Sequence, residues 1–102
     1  MQVKFFHKDI EKYILSLEKA TQAKVLRLLE LLQEYGSALG MPYSKALGDG
    51  LFELRISGKQ NIRILYIFHC SSAVVVHAFV KKQNKIPLKE LNIAYERRAC
   101  IV

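Results

Sequence analysis

Residues 51–82 read LFELRISGKQNIRILYIFHCSSAVVVHAFVKK, three apolar runs separated by two short polar segments. The runs predict strands over 51–57, 61–69 and 73–81, joined by turns at 58–60 and 70–72. Because side chains on a strand alternate between its two faces, one face of the predicted sheet should be a hydrophobic core. Its members are Phe52, Leu54, Ile56, Ile62, Ile64, Tyr66, Phe68, Val74, Val76, Ala78 and Val80.

The opposite face of the predicted sheet mixes apolar and polar side chains, and most of its polar members are basic. Charged side chains are unusual on strands this apolar, since a buried charge needs a partner. We therefore expect the functional residues on this face. It holds Leu51, Glu53, Arg55, Arg63, Leu65, Ile67, Val75, His77, Phe79 and Lys81.

The residues before the strands predict two amphipathic helices. Apolar side chains at positions i, i+3, i+4 and i+7 recur within 10–17 and again within 25–32. Asp9 is a candidate N-cap for the first helix, and Gly36 is a candidate end for the second. The short link between them predicts an N-terminal α-hairpin whose apolar stripe packs on the sheet.

The remaining segments complete the predicted fold. A short strand is expected over 3–6, and residues 37–50 are interpreted as a loop because three glycines and a proline interrupt them. Lys45 lies in that loop, beside the basic face of the sheet. Helical spacing of apolar side chains within 87–95 predicts a short C-terminal helix, and the whole is expected to be one α+β domain over residues 1–102.

The net charge of +7 is unevenly distributed along the chain. Residues 1–39 carry six Lys or Arg against five Asp or Glu, whereas residues 40–102 carry ten against four. A basic surface of this kind suits a polyanion such as RNA or DNA. Solubility alone is the alternative explanation of the charge.

Several classes of protein do not fit the sequence. No apolar run approaches the length of a membrane span, and the first ten residues lack the shape of a signal peptide. We therefore expect a cytoplasmic protein with no membrane partner, in which Cys70 and Cys100 stay reduced. The sequence has no Cys-x-x-Cys or His-x-x-x-His spacing, so neither a metal site nor a cofactor is expected.

Three strings, in this order and spacing, resemble one family of proteins. They are KALGDGLFELR at 45–55, IRILY at 62–66 and HAFVKK at 77–82. They are similar to the RelE/HigB group of toxins from bacterial type II toxin–antitoxin pairs, above all to its phage-derived HigB-like branch. The resemblance extends from the first helix to the last.

The resemblance implies a fold, an activity and two partners. The implied fold is an N-terminal α-hairpin packed on a twisted antiparallel β-sheet, with a short C-terminal helix. The implied activity is a metal-independent mRNA endonuclease, usually acting on the translating ribosome. The implied partners are mRNA on the ribosome and a cognate antitoxin, commonly a helix-turn-helix DNA-binding protein.

The resemblance also implies roles for basic residues. Arg63 matches the strand arginine that many of these toxins use at the scissile phosphate. Lys45 matches a basic residue on the segment before the sheet, and Lys81 and Lys82 match the basic end of the last strand.

The chain departs from RelE at two places. Leu51 and Glu53 stand where RelE has lysines, and Leu91 stands nearest to the catalytic tyrosine of RelE, with Tyr95 one turn further along.

Cleavage of RNA by its own 2′-hydroxyl requires a proton acceptor, a stabiliser of negative charge and a proton donor. Arginine offers a fixed fork for phosphate oxygens, and histidine can transfer protons near neutral pH. An aromatic ring such as that of Phe79 can stack on a base. The predicted catalytic residues are Arg63, Lys45, His77, Lys81 and Glu53, and the predicted RNA-binding residues are Arg55, Phe79, Lys82 and Lys85.

Other interpretations remain open on the sequence. His77 and Phe79 can be packed core residues, and Glu53 can pair with Arg55 or Arg63 on a neighbouring strand. The chain can also be a ParE-like toxin that inhibits gyrase, or a non-catalytic RNA- or protein-binding module with the same fold. The order in which protein synthesis and DNA replication stop on expression would separate these functions.

Overall fold

Three long strands form the centre of the fold, as the sequence predicts. The computed structural model describes residues 1–101 and places these strands within one five-stranded sheet. The elements in chain order are β1 (Gln2–Phe5), α1 (Lys8–Leu15), α2 (Lys19–Tyr35), a 3-10 turn (Gly36–Ala38), β2 (Ser44–Gly48), β3 (Leu51–Ile56), β4 (Ile62–His69), β5 (Ser72–Val80) and α3 (Leu88–Ala99). The strand order in the sheet is β1-β5-β4-β3-β2.

The sheet is covered on both faces, which confirms the predicted α+β class. Helices α1 and α2 pack on one face through buried side chains such as Ile14, Val25 and Leu32, which meet Leu54 and Ile64 of the sheet. Burial of this apolar surface is the main force that holds the hairpin on the sheet. Within residues 1–101, no helix combines the length and the apolar character that crossing a membrane requires.

Helix α3 packs on the opposite face over a second, smaller apolar cluster. Leu51, Leu65 and Ile67 of the sheet are buried there beside Ala94 of the helix. The predicted stripe of α3 is partly wrong, since Leu88 is exposed. The predicted mixed face is therefore half covered, and its open half is the basic part.

A bulge in β5 reverses the predicted faces of three valines. Leu65 pairs with His77 but Tyr66 pairs with Val75, so Val76 is an extra residue on β5. An extra residue shifts the alternation of a strand by one position. Val74 and Val76 consequently pack under α3, whereas Val75 packs under α1 and α2.

The sheet is mixed, which corrects the prediction of an antiparallel sheet. β1 runs parallel to β5, and Gln2 pairs with Ser72 at the start of that register, while the other neighbouring strands are antiparallel. The side-chain pattern of a short strand carries no information about the direction of its partner. The predicted first strand itself is confirmed.

The segment 37–50 is only partly a loop. Its second half forms the edge strand β2, so the prediction that Lys45 lies on a loop is wrong. β2 lacks an alternating apolar pattern because most of its side chains are exposed, and it is held by pairing with β3. The turn between β2 and β3 contains Gly48 and Gly50, whose φ values of 104° and 79° favour glycine.

Candidate nucleic-acid interface

Two adjoining clefts open on the α3 side of the sheet, where β3, β4 and β5 leave the cover of the helix. The second is lined by polar and basic side chains, the first by basic and apolar ones, and the two share Lys81 and Asn84. The first cleft, of about 500 Å³, is lined by Lys45, Leu47, Glu53, Arg55, Lys81, Asn84, Lys85, Ile86, Leu88, Leu91 and Tyr95. The second, of about 270 Å³, is lined by Asn61, Arg63, Lys81, Lys82, Gln83 and Asn84.

Strand register brings the predicted site residues to these clefts. Arg55 of β3 lies directly opposite Arg63 of β4, and Glu53 lies directly opposite Lys45 of β2. Residues two apart on one strand share a face, so these four side chains converge on the same side of the sheet. Lys81 follows β5 directly, and its backbone N–H donates to Asn61 O at 2.7 Å. Seven of the nine predicted site residues thus line one or both clefts.

A buried carboxylate lies between the two arginines. Glu53 is 3% exposed. Its Oε1 lies 3.5 Å from Arg55 Nε, and its Oε2 lies 3.6 Å from Arg63 Nε. Two like charges at directly opposite strand positions repel one another, so the carboxylate supplies the opposite charge that this pair of arginines needs.

Arg63 is held by backbone as well as by charge. It is 6% exposed, and its Nη1 donates to Ile56 O at 3.3 Å and to Ile62 O at 3.1 Å. Burial lowers the pKa of the guanidinium, while Glu53 raises that pKa and Arg55 lowers it further. Its Nη2 makes no hydrogen bond to residues 1–101, and Arg63 lines the second cleft.

The lysines of the clefts are less constrained than the arginines. Lys45, Lys82 and Lys85 are exposed, and Lys81 is partly buried between the two clefts. None of the four forms a salt bridge within residues 1–101. The site therefore combines two fixed cations with four mobile ones.

The structure does not bring His77 into either cleft. Its ring packs under α3 and stacks on Phe79, with 5.4 Å between the ring centroids. Nε2 lies 3.4 Å from Glu90 Oε1, without the geometry of a hydrogen bond. Burial lowers the pKa of His77, Glu90 opposes this change, and Arg97 adds to it.

Phe79 also lies apart from the clefts. It is 6% exposed and belongs to the apolar cluster beneath α3. Stacking on an RNA base requires an open ring face, which Phe79 does not present in this structure. The packing role that the sequence left open is the one its position supports.

Tyr95 is a cleft residue that the predicted set of site residues omitted. Its hydroxyl donates to Gly48 O at 3.2 Å and so ties α3 to the end of β2. Leu91, one turn earlier, lines the same cleft. The spacing of Tyr95 on the final helix was the available signal, but helical spacing alone does not separate a core aromatic from a cleft aromatic.

Within residues 1–101 no group of three or more His, Cys, Asp or Glu side chains is placed to hold a metal ion. Cys70 and Cys100 are both free and exposed.

Comparison with known proteins gives one family. The family model described as Phage derived protein Gp49-like (DUF891) matches residues 12–99. The matched region begins in α1 and ends at the last residue of α3, and it contains every residue of the two clefts. No curated protein matches the chain.

The partly buried His77 should make the stability of the protein depend on pH. Since its pKa is lower in the folded protein than the ordinary value of 6.5, the unfolded chain binds the proton more readily as the pH falls. We expect the free energy of unfolding to decrease as the pH falls through 6.5, and this contribution to level off below the folded pKa. Urea unfolding of His77→Gln should show a smaller decrease than the wild-type protein.

His69→Gln, at the end of β4, is the matched control for this prediction and should keep the wild-type decrease. An unchanged decrease in His77→Gln would contradict the assignment.

Proposed function

This chain belongs to the Gp49-like phage-derived family, a family of RelE/HigB-like toxins, and on that premise we propose that it is the toxin of a type II toxin–antitoxin pair. We further propose that it is a cytoplasmic endoribonuclease that cleaves mRNA, on the translating ribosome, and so inhibits translation. The observation that carries the proposal is the position of Arg63, a buried cation that lines a basic cleft.

Phosphate recognition is assigned to the two arginines and Lys81. The scissile phosphate lies at the junction of the clefts, against Arg63 and Lys81, with Arg55 on the first-cleft side. A guanidinium held by packing and hydrogen bonds loses little freedom when it binds a phosphate oxygen. The exposed lysines Lys82 and Lys85 contact the phosphates that flank the cut.

The nucleophile in this proposal is the 2′-hydroxyl of the RNA. It attacks the adjacent phosphorus, the bond to the 5′ oxygen breaks, and the extra negative charge of the pentacovalent state faces the arginines. We assign the two proton transfers to Lys45 and Lys81, because both border the first cleft and neither forms a salt bridge within residues 1–101. The position of His77 beneath α3 removes it from this scheme.

A cognate antitoxin, commonly a helix-turn-helix protein in such pairs, is the proposed partner. The clefts carry more cations than carboxylates, and Leu91 and Ile86 add apolar surface. A segment with acidic and apolar side chains complements this surface, and opposite charges accelerate association.

Replacing Arg63 should abolish toxicity. Loss of one preorganised donor to a developing oxyanion costs about a hundredfold or more in rate. On induction, wild-type protein should stop protein synthesis before DNA replication, and Arg63→Ala should not, provided that circular dichroism shows it folded. Arg27→Ala, an exposed arginine on α2 outside the two clefts, should remain fully toxic.

Full toxicity of folded Arg63→Ala would refute the site assignment. Arrest of replication before protein synthesis would instead indicate a ParE-like activity.

The products should identify the attacking group. Attack by the 2′-hydroxyl gives 2′,3′-cyclic phosphate and 5′-hydroxyl ends, and a substrate with 2′-deoxyribose at the cut should resist. We expect cleavage of a minimal RNA to survive chelation of divalent ions, and mass spectrometry of the fragments provides the measurement. Fragments with 5′-phosphate ends would overturn the mechanism, because water would then be the nucleophile.

Antitoxin binding should depend on the charge of the clefts. Lys81→Glu places a negative charge where both clefts meet and should weaken the complex, with a smaller dependence of the dissociation constant on salt. Lys12→Glu, on the exposed side of α1, should bind as the wild-type protein does. Calorimetric titration that finds equal affinities for the two variants would place the antitoxin elsewhere.

A further inference from the structure

Glu53 occupies a place that the proposed reaction leaves without a role. It is a carboxylate in a site that binds an anion, where a negative charge opposes binding. Apart from Arg55, the strand around it is apolar, and burying a charge there costs free energy unless the charge is paired. Its position among cations therefore indicates a specific function.

The two oxygens of Glu53 are each directed at a different arginine. Oε1 faces Arg55 Nε at 3.5 Å, and Oε2 faces Arg63 Nε at 3.6 Å. The Nε of Arg63 is buried and has no hydrogen-bond partner within residues 1–101, so the carboxylate is the group that compensates it. With its side chain 4% exposed, Glu53 offers a 2′-hydroxyl little surface to approach.

Two of the three guanidinium nitrogens of Arg63 are engaged within the protein. Nη1 donates to two backbone carbonyls, and Nε faces the carboxylate. These contacts fix the plane of the group in a residue that lines the second cleft. Without the carboxylate, repulsion from Arg55 on the opposite strand would act on Arg63 with no opposing charge nearby.

We infer that Glu53 is a positioning residue, which holds Arg63 and Arg55 in the orientation that receives the scissile phosphate, rather than the base that deprotonates the 2′-hydroxyl. The inference rests on the proposed nuclease function. The negative charge of Glu53 then lowers the affinity of the clefts for RNA, while the positioning of the arginines raises the rate of the chemical step. Preorganised charge acts on the transition state because it needs no rearrangement during the reaction.

Glu53→Gln separates these two effects. The variant keeps the size of the side chain and removes its charge, so a non-cleavable 2′-deoxy oligonucleotide should bind at least as tightly as it binds the wild-type protein. Single-turnover cleavage should slow by about 10- to 100-fold, since small misplacements of catalytic groups cost that much. The pH profile of the rate should keep its shape, because no proton-transfer group has been lost.

A double-mutant cycle with Arg63→Ala tests whether Glu53 acts through Arg63. If it does, adding Glu53→Gln to Arg63→Ala should cause little further loss of rate. Loss of one limb of the pH profile, or a full additional loss in the double variant, would overturn the inference and return Glu53 to the role of base.

Proton exchange at Arg63 Nε tests whether Glu53 holds this arginine in place, without any cleavage. In the wild-type protein this N–H should give a protected NMR signal, and in Glu53→Gln the signal should exchange faster or broaden. Should Glu53→Gln not fold, Glu53→Asp retains the charge on a shorter side chain. In that variant the Arg63 Nε–H should exchange faster than in the wild-type protein. If the wild-type protein cleaves no RNA, the proposed function fails. Unchanged exchange of the Arg63 Nε–H in the variants would instead refute the positioning role of Glu53.

Discussion

A charged triad inside a covered sheet is the constraint on which the site depends. Glu53, Arg55 and Arg63 lie on central strands, with helices packed against both faces of the sheet. Moving the charges of Glu53 and Arg63 out of water costs several kcal/mol each, and the cost is offset only when partners and hydrogen bonds are well placed. The backbone carbonyls of Ile56 and Ile62 provide part of that compensation. The triad is therefore organised by the fold before any substrate arrives.

Helix α3 determines how much of this face stays open. It covers the apolar half, where Leu65 and Ile67 are buried, and stops short of the ends of β3 and β4. Arg97 helps to hold it in place, since its Nη1 donates to Val76 O at 2.7 Å and its guanidinium lies 5.6 Å from the centre of the Phe6 ring. The helix that seals the second core thus also forms one wall of the first cleft. Whatever loosens α3 should also change the shape of the clefts.

Period-two alternation was enough to predict the central strands and the faces of most of their residues. Large apolar side chains such as those of Leu54 and Ile64 are stable only on the side of the sheet that faces a core. It failed at Val75, since a bulge changes the alternation without any change in composition. It also failed for β2, whose exposed residues are ordered by backbone pairing to β3, a contact that leaves no pattern in the side chains. For the site, alternation and the basic termini of strands predicted that Arg63, Arg55 and Lys81 share one face, and in the structure all three line the clefts. Helix α3 covers His77 and Phe79 and so keeps them out of the clefts. This coverage depends on where α3 docks on the sheet, which the alternation of the strands does not show.

The residues of α3 that line the first cleft limit the proton transfers that are possible there. Leu91 lines the cleft near the position where RelE carries a tyrosine, and Tyr95, one turn on, uses its hydroxyl to hold β2. A tyrosine committed to a backbone carbonyl is a poor proton donor to a leaving group, because donation would first break that contact. In the proposed mechanism, catalysis then comes chiefly from charge, with Arg63 fixed and Lys81 mobile. A site of that design stabilises the pentacovalent phosphate more than it assists proton transfer, so its rate should depend more on the orientation of Arg63 than on any single titrating group.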